Sequence, residues 1–161
     1  MTGITVEVDD KAVRKTLSRL SSFDLAAALR GIGETLTNNT RERLENGVDV
    51  DGRHFAPLSP VTLARKKKNR DKVLMESGDL HRELAYQLVH GGTSLEFGSD
   101  RKYAAVHQFG AKQGAFGRSN RNGPLPWGNI PARPFIGIST QDHEEILDNL
   151  SVFIENQLNA K

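Results

Sequence analysis

His107 is the residue of this sequence that most suggests chemistry, because an imidazole can exchange a proton near neutral pH. A catalytic histidine needs a side chain that orients it and a nucleophile or metal to act on. No such partner stands at a suitable spacing, and no two histidines are four residues apart, as a metal-binding pair on one helix would be. The chain also contains no cysteine, which excludes thiol catalysis and cysteine-based metal sites. We therefore expect no enzyme activity, no cofactor and no metal.

The block around His107, residues 103–110, is better explained as scaffold. Its apolar members are expected to anchor the segment against a sheet, its polar pair to hydrogen-bond backbone groups, and Gly110 to permit a turn. The apolar members are Tyr103, Val106 and Phe109, and the polar pair is His107 and Gln108.

Residues 131–135 form a rigid segment, since its prolines fix φ and hold the preceding residues extended. Arg133 and Phe135 on such a segment are typical of interface anchors. Phe135 could equally be a core residue. Arg133 could pair with a carboxylate of a neighbouring copy, or with Asp142 or Glu144 of its own chain.

Residues 112–129 are rich in glycine and polar residues and show no periodicity. No Gly-Lys-Ser/Thr ends the segment, so it is not a phosphate-binding loop. We expect a flexible loop that becomes ordered on assembly, with Trp127 as a buried anchor. The full set of interface candidates is Tyr103, His107, Gln108, Phe109, Trp127, Arg133 and Phe135.

Basic residues cluster between positions 65 and 72, where phosphate could be neutralised. No aromatic residue is interleaved, so base stacking is not indicated. A solvated loop and a DNA-facing surface both fit this run. The candidate DNA-facing residues are Arg65, Lys66, Lys67, Lys68 and Arg70.

The charges of the chain are segregated, although the net charge is only +2. Residues 101–133 contain basic residues and no acid, whereas acids dominate from Asp142 onward. Opposed charges suit head-to-tail packing of copies or docking on an acidic partner, and two solvated surfaces are the alternative.

A length of 161 residues fits a single domain. The beginning of the chain lacks the basic and apolar regions of a secretion signal, and no stretch approaches the ~20 apolar residues of a membrane helix. We expect a soluble protein with no membrane partner.

Periodicity predicts an α+β domain with a small, mostly antiparallel sheet. Its strands are expected at residues 4–8, in a central hairpin and at residues 131–138. A helix around residues 12–20, a long helix ending near Asn46, a short helix after the cap Ser59 and a final helix after Ser139 or Thr140 complete the pattern. The final helix should bury Ile146, Leu147, Leu150, Phe153, Ile154 and Leu158.

The hairpin has a specific predicted register. If Gly91 and Gly92 form a two-residue turn, Leu88 lies opposite Leu95 and Tyr86 opposite Phe97, so the apolar residues share one face.

Four blocks, in order over residues 53–139, resemble those of the phage virion morphogenesis (tail completion) family. They lie at residues 55–66, 73–80, 97–110 and 130–138, and the last two are specific when found together. Their most similar stretches are Ser77-Gly78-Asp79-Leu80, Tyr103-Ala104, His107-Gln108-Phe109-Gly110 and Pro131-Ala132-Arg133-Pro134-Phe135.

The resemblance implies a structural role late in virion assembly, at the tail end or the head–tail junction, as a ring of identical subunits. The implied partners are further copies of the chain, tail tube or terminator proteins or head–tail connector proteins, and DNA passing through a channel. The implied location is the tail or neck of the virion, after assembly in the host cytoplasm. The competing hypothesis is a small nucleic-acid-binding module that uses residues 65–72 and 101–133.

Overall fold

A long helix and the last helix pack against each other in the computed structural model, which describes residues 23–159 together with Lys11, Lys15 and Ser18. The strand predicted at residues 4–8 lies outside the described residues. Of the helix predicted around residues 12–20, only Lys15 and Ser18 are described, and both are helical. The elements, in chain order, are α1 (Leu25–Asn46), α2 (Pro60–Arg65), α3 (Asp79–Arg82), β1 (Ala85–Val89), β2 (Ser94–Gly98), α4 (Ala104–Phe109) and α5 (Thr140–Asn159).

Helix α1 has a conventional cap at each end. The side chain of Asp24 accepts a hydrogen bond from the amide of Ala27, which satisfies one of the free N–H groups of the first turn. Gly47 ends the helix in the left-handed conformation, with φ of 70°. The predicted end of this helix is therefore confirmed. Of its predicted apolar face, Leu36 and Leu44 are buried, whereas Leu25 is 41% exposed.

The hairpin of β1 and β2 has the predicted register, with Tyr86 opposite Phe97 and Leu88 opposite Leu95. The turn is longer than the predicted two residues, because strand pairing ends at Val89 and Ser94. His90 has φ of 51° and opens a one-turn 3₁₀ segment, His90–Gly92. The turn gains one residue on each side, His90 and Thr93. The strand residues therefore pair as they would across a two-residue turn.

The apolar face of the hairpin packs on α1, and this contact explains a glycine inside the helix. Gly33 is buried under the ring of Tyr86, and a Cβ at this position would lie 2.4 Å from the Cδ2 atom of Tyr86. The Tyr86 hydroxyl reaches beyond the glycine and donates to Glu34 Oε1 at 2.9 Å. Helix and hairpin can approach this closely only without a side chain at position 33.

The main apolar core lies at the C-terminal end of α1, against α3, α4 and the segment that precedes α5. Phe135 is completely buried at its centre. The core consists of Leu44, Phe55, Leu80, Leu84, Ala104 and Phe135, with Val73, Leu74, Met75 and Ile136 packed around it.

The third predicted strand, at residues 131–138, is wrong. Within the described residues the sheet has two strands, and Ile130 makes only an isolated bridge to Ala111. Pro131 and Pro134 carry no N–H group, so this segment cannot donate the repeated hydrogen bonds of a ladder. The mixed helix and strand class is confirmed, with a smaller sheet in the described residues than predicted.

Helix α5 begins at a capping box formed by Ser139 and Asp142. The Ser139 hydroxyl accepts from the amide of Asp142 at 3.0 Å, and the Asp142 carboxylate accepts from the amide of Ser139 at 2.7 Å. The helix packs along α1, where the rings of Phe23 and Phe153 meet edge to face with centroids 5.2 Å apart.

The predicted apolar stripe of α5 is only partly covered. Ile146, Leu150 and Phe153 are half-buried. Leu147 is 51% exposed and Ile154 is 36% exposed, so their predicted burial is wrong. In the described part of the chain, no helix combines the length and apolarity needed to cross a membrane.

The packing at Gly33 gives a paired prediction. Gly33→Ala should lower the free energy of unfolding by about 1–3 kcal/mol, because the overlap with Tyr86 outweighs the gain in helix propensity. Gly31→Ala, in the same helix but with no atom within 4 Å of the added Cβ, should raise it by about 0.5–1 kcal/mol. Urea unfolding of both variants measures the difference, and equal effects would show that the Tyr86 contact is not close-packed.

Candidate assembly interface

The side-chain amide of Gln108 holds the segment before α5 in place. Its Oε1 atom accepts from the amides of Phe135 and Ile136, each at 3.0 Å, and its Nε2 atom donates to the carbonyl of Ile136 at 2.8 Å. One side chain thus supplies the hydrogen bonds that a neighbouring strand would supply. The predicted bonding of Gln108 to backbone groups is confirmed.

Gly110 forms the predicted turn at the end of α4. Its φ is 74°, and a Cβ would lie 2.7 Å from the carbonyl oxygen of Ile130 and 2.8 Å from the amide of Ala132. The turn brings Ala111 beside Ile130, where the two residues exchange backbone hydrogen bonds of 2.9 and 2.7 Å. Any larger residue would separate these two chain segments.

Arg133 and Phe135 both lie inside the chain. Arg133 is 5% exposed, and its guanidinium donates to the carbonyls of Ala56 at 2.8 Å and Pro57 at 3.0 Å. Its side-chain partners are therefore backbone carbonyls. The predicted pairing with Asp142 or Glu144 is not formed. Of the two predicted roles of Phe135, interface anchor or core residue, the structure shows the second, because Phe135 has no exposed surface. These two buried side chains hold residues 131–135 against the rest of the chain.

His107 is half-buried beside Arg133. Its carbonyl accepts from the amide of Arg133 at 2.7 Å, and its ring meets Tyr103 edge on, with centroids 5.9 Å apart. Among the described residues its buried Nδ1 atom has no hydrogen-bond partner. The predicted side-chain bond to a backbone group is therefore not formed at Nδ1. Burial, and then the positive charge of Arg133, lower the pKa of His107 below its usual value.

Asp142 anchors α5 to α1 through a contact that the sequence did not reveal. Asp142 is 1% exposed, and its carboxylate accepts from Arg43 Nη1 at 2.8 Å and from Asn39 Nδ2 at 2.8 Å. Burial would raise the pKa of Asp142, but hydrogen bonds from Ser139 and Asn39 and the charge of Arg43 together lower it. Arg43 and Asp142 are 99 residues apart, which is why no local pattern indicates the pair.

The glycine-rich segment has defined geometry. Residues 111–130, hereafter the arm, fold back on themselves between a bridge at Ala111 and Ile130 and a second bridge at Arg118 and Pro124. Backbone bonds close it along its length, among them Phe116 N to Leu125 O at 2.7 Å. The arm is an irregular hairpin, and its flexibility before assembly stays a prediction.

Three aromatic side chains stand in solvent on the arm and at its base. Phe109 is 78% exposed, so its predicted role as an anchor against the sheet is wrong. Trp127 is 72% exposed, so it is not a buried anchor within the single chain, and its burial on assembly stays a prediction; Phe116 is 57% exposed. Isolated exposed apolar residues are ordinary, but two exposed aromatics on the arm with a third at its base indicate a contact surface.

The basic run at residues 65–72 is less uniform than its sequence suggests. Lys66 is 6% exposed, and its Nζ atom donates to the carbonyls of Asn69 and Lys72. Burial lowers the pKa of Lys66, against the opposing attraction of Glu76 and Asp71. Its predicted place on a DNA-facing surface is therefore wrong. The remaining candidates are exposed, although Arg70 donates to the carbonyl of Leu63 at 3.1 Å.

The comparisons with known proteins agree with the resemblance in the sequence. The model of the Phage virion morphogenesis family matches residues 8–155, so the chain belongs to that family. The chain is also 27% identical over 150 residues, 90% of each chain, to a protein of Escherichia phage Mu whose name is "Putative capsid assembly protein G". No solved structure matches. The chain acts in phage virion assembly.

Placing the candidates in the structure divides them into two groups. Gln108, Arg133 and Phe135 stabilise the chain internally, whereas Phe109, Trp127 and the partly exposed Tyr103 are accessible to another molecule. The exposed Phe116, Leu147 and Ile154 were not among the predicted site residues. Phe116 had a sequence signal, since it is an aromatic residue in a polar segment, whereas Leu147 and Ile154 have the spacing of ordinary core residues.

The burial of His107 predicts a pH dependence. Because the pKa of His107 is lower in the folded chain than its unfolded value of about 6.5, its contribution to stability is complete above that pH and is lost as the pH falls. Unfolding free energies measured between about pH 5 and 7 should therefore decline on acidification, and the decline should be smaller in His107→Gln. His54→Gln controls for the loss of one imidazole. An identical slope in wild type and His107→Gln would contradict the prediction.

Proposed function

We propose that this chain is a non-enzymatic structural protein that completes the phage tail at the head–tail junction, as a ring of identical copies. The observation that carries the proposal is the arm, which presents Phe116 and Trp127 to solvent on a hydrogen-bonded hairpin. Exposed aromatics on an ordered element are suited to binding another protein, because little conformational entropy is lost when they are buried.

The rest of the molecule supports a role as a rigid connector. Buried hydrogen bonds fix α4, the 131–136 segment and the start of α5 relative to each other, so the base of the arm is firmly held. A position at the junction is also compatible with both comparisons, because a protein there contacts tail and head components. The proposed partners are further copies, tail tube or terminator proteins and head–tail connector proteins.

Electron microscopy of particles made without this protein tests the role. We expect free heads beside completed but unjoined tails, with joining restored by the wild-type gene supplied in trans. A complementing gene with Phe116→Ser and Trp127→Ser should fail to restore joining although the protein accumulates normally. Normal virions in the absence of the protein would contradict the proposal.

The second candidate function is nucleic-acid binding, favoured by the exposed Arg65, Lys67 and Lys68 and by the absence of acids from residues 101–133. In a ring, such residues would line a channel through which DNA passes. Lys67→Glu with Lys68→Glu should then weaken DNA binding by the purified protein and reduce its salt dependence. Lys66 is not used in this test, because its replacement would disturb buried hydrogen bonds. Unchanged DNA binding and unchanged DNA delivery by phage would exclude the channel role of these residues.

A further inference from the structure

Helix α5 has a solvent-facing surface that combines apolar and acidic side chains. Leu147 and Ile154 are seven residues apart, almost two full turns, so they lie on one stripe of the helix. Glu144, Asp148 and Glu155 are exposed, and at 3.6 residues per turn all three lie on the same side of that stripe, about 60–100° around the helix from Leu147. We call these five residues the acidic face of α5.

The acidic face is not required for the packing of α5 within the chain. The opposite side of the helix makes the intramolecular contacts, through Asp142, the half-buried Ile146 and Leu150, and the ring of Phe153. The apolar part of the acidic face is substantial, since Leu147 and Ile154 are 51% and 36% exposed. An apolar stripe bordered by carboxylates is therefore available to another surface.

The arm has complementary chemistry. It contains Lys112, Arg118 and Arg121 and no acid. Arg118 donates only to neutral groups of Asn122 in the described residues, at 3.2 and 3.3 Å, so that its charge is not neutralised by these contacts. Phe116 and Trp127 supply exposed apolar surface on the same segment. Aromatic and basic groups on one surface thus match apolar and acidic groups on the other.

On these grounds we infer that the arm of one copy docks on the acidic face of α5 of the next copy. The inference rests on the proposed ring, and it identifies the two surfaces that form it. Because the surfaces differ, the contact is head-to-tail, and repetition of such a contact closes into a ring when the rotation between copies permits.

Both surfaces are exposed in the single chain, so neither is covered by the other within it. A second copy is favoured over an unrelated partner because one chain carries both halves of the complementary pair. The charge pattern also opposes the symmetric alternatives, since arm against arm and α5 against α5 would place like charges together.

Charge reversal tests the docking directly. Arg118→Glu with Arg121→Glu alters the arm, and Glu144→Lys with Asp148→Lys alters the acidic face; all four side chains are exposed, so folding should be retained. Each pair alone should weaken self-association roughly 10- to 100-fold. The chain with all four changes, or an equal mixture of the two variants, should recover it. Arg30→Glu with Arg53→Glu, at exposed positions outside both surfaces and outside the basic run, is the matched control for charge, and analytical ultracentrifugation measures association.

Cysteine cross-linking tests the same contact on assembled particles, whether or not the free protein associates. The chain has no native cysteine, so Arg118→Cys with Asp148→Cys provides the two reactive sites. A short bismaleimide should give a ladder of covalent multimers from the double variant, and little cross-linking from either single variant. A ladder supports head-to-tail docking.

The outcomes separate this inference from the proposed function. Joined particles and self-association that survive both charge reversals, with no cross-linked ladder, would overturn the docking and leave the assembly role intact. Normal virions without the protein would instead overturn the assembly role itself.

Discussion

The three hydrogen bonds of the Gln108 amide are the contact on which the rest of this structure most depends. They fix residues 135 and 136 against α4, where no strand is present to do so. The fixed segment places Phe135 in the centre of the core and Arg133 against the carbonyls of Ala56 and Pro57. A buried amide that loses its partners costs about 1–3 kcal/mol, and because the Gln108 amide is partly buried, part of that cost favours this arrangement. One side chain therefore connects the helix, the core and the loop after α1.

The consequences extend to both candidate docking surfaces. On one side of the Gln108 contact, Gly110 starts the arm; on the other, the 131–136 segment leads to Ser139 and the cap of α5. Arg43 then holds Asp142, and thereby sets the rotation of α5 about its axis. That rotation determines that Leu147 and Ile154 face solvent while Ile146 and Phe153 face α1. Surfaces that are distant in the sequence are thus oriented by one connected set of buried polar contacts.

Local patterns in the sequence were sufficient for the elements whose stability is local. The end of α1, the register of the hairpin, the start of α2 and the turn at Gly110 follow from residue types at fixed spacings. The errors arise where distant residues decide the outcome. The prolines at 131 and 134 led to the prediction of a strand, but the hydrogen-bond partner of this segment is a side chain 27 residues away and not a strand.

Burial was the property that the sequence predicted least well. Lys66 lies in a run of basic residues that is typical of a solvated loop. Carbonyls of that same loop nevertheless enclose its ammonium group. Phe109 looked like a core aromatic, but the turn that Gly110 imposes leaves it in solvent. Apolar periodicity in α5 predicts a buried stripe, but it cannot distinguish a stripe covered by the same chain from one that a second molecule would cover.

The prolines of the 131–136 segment also bear on solubility. A strand with free N–H groups at its edge can pair with any extended chain, which leads to aggregation when subunits are concentrated. Pro131 and Pro134 remove two of those donors, and the Gln108 side chain occupies two more, at Phe135 and Ile136. This segment is therefore a poor template for indiscriminate strand addition. A component stored at high concentration before a particle is finished would remain available for its specific contacts.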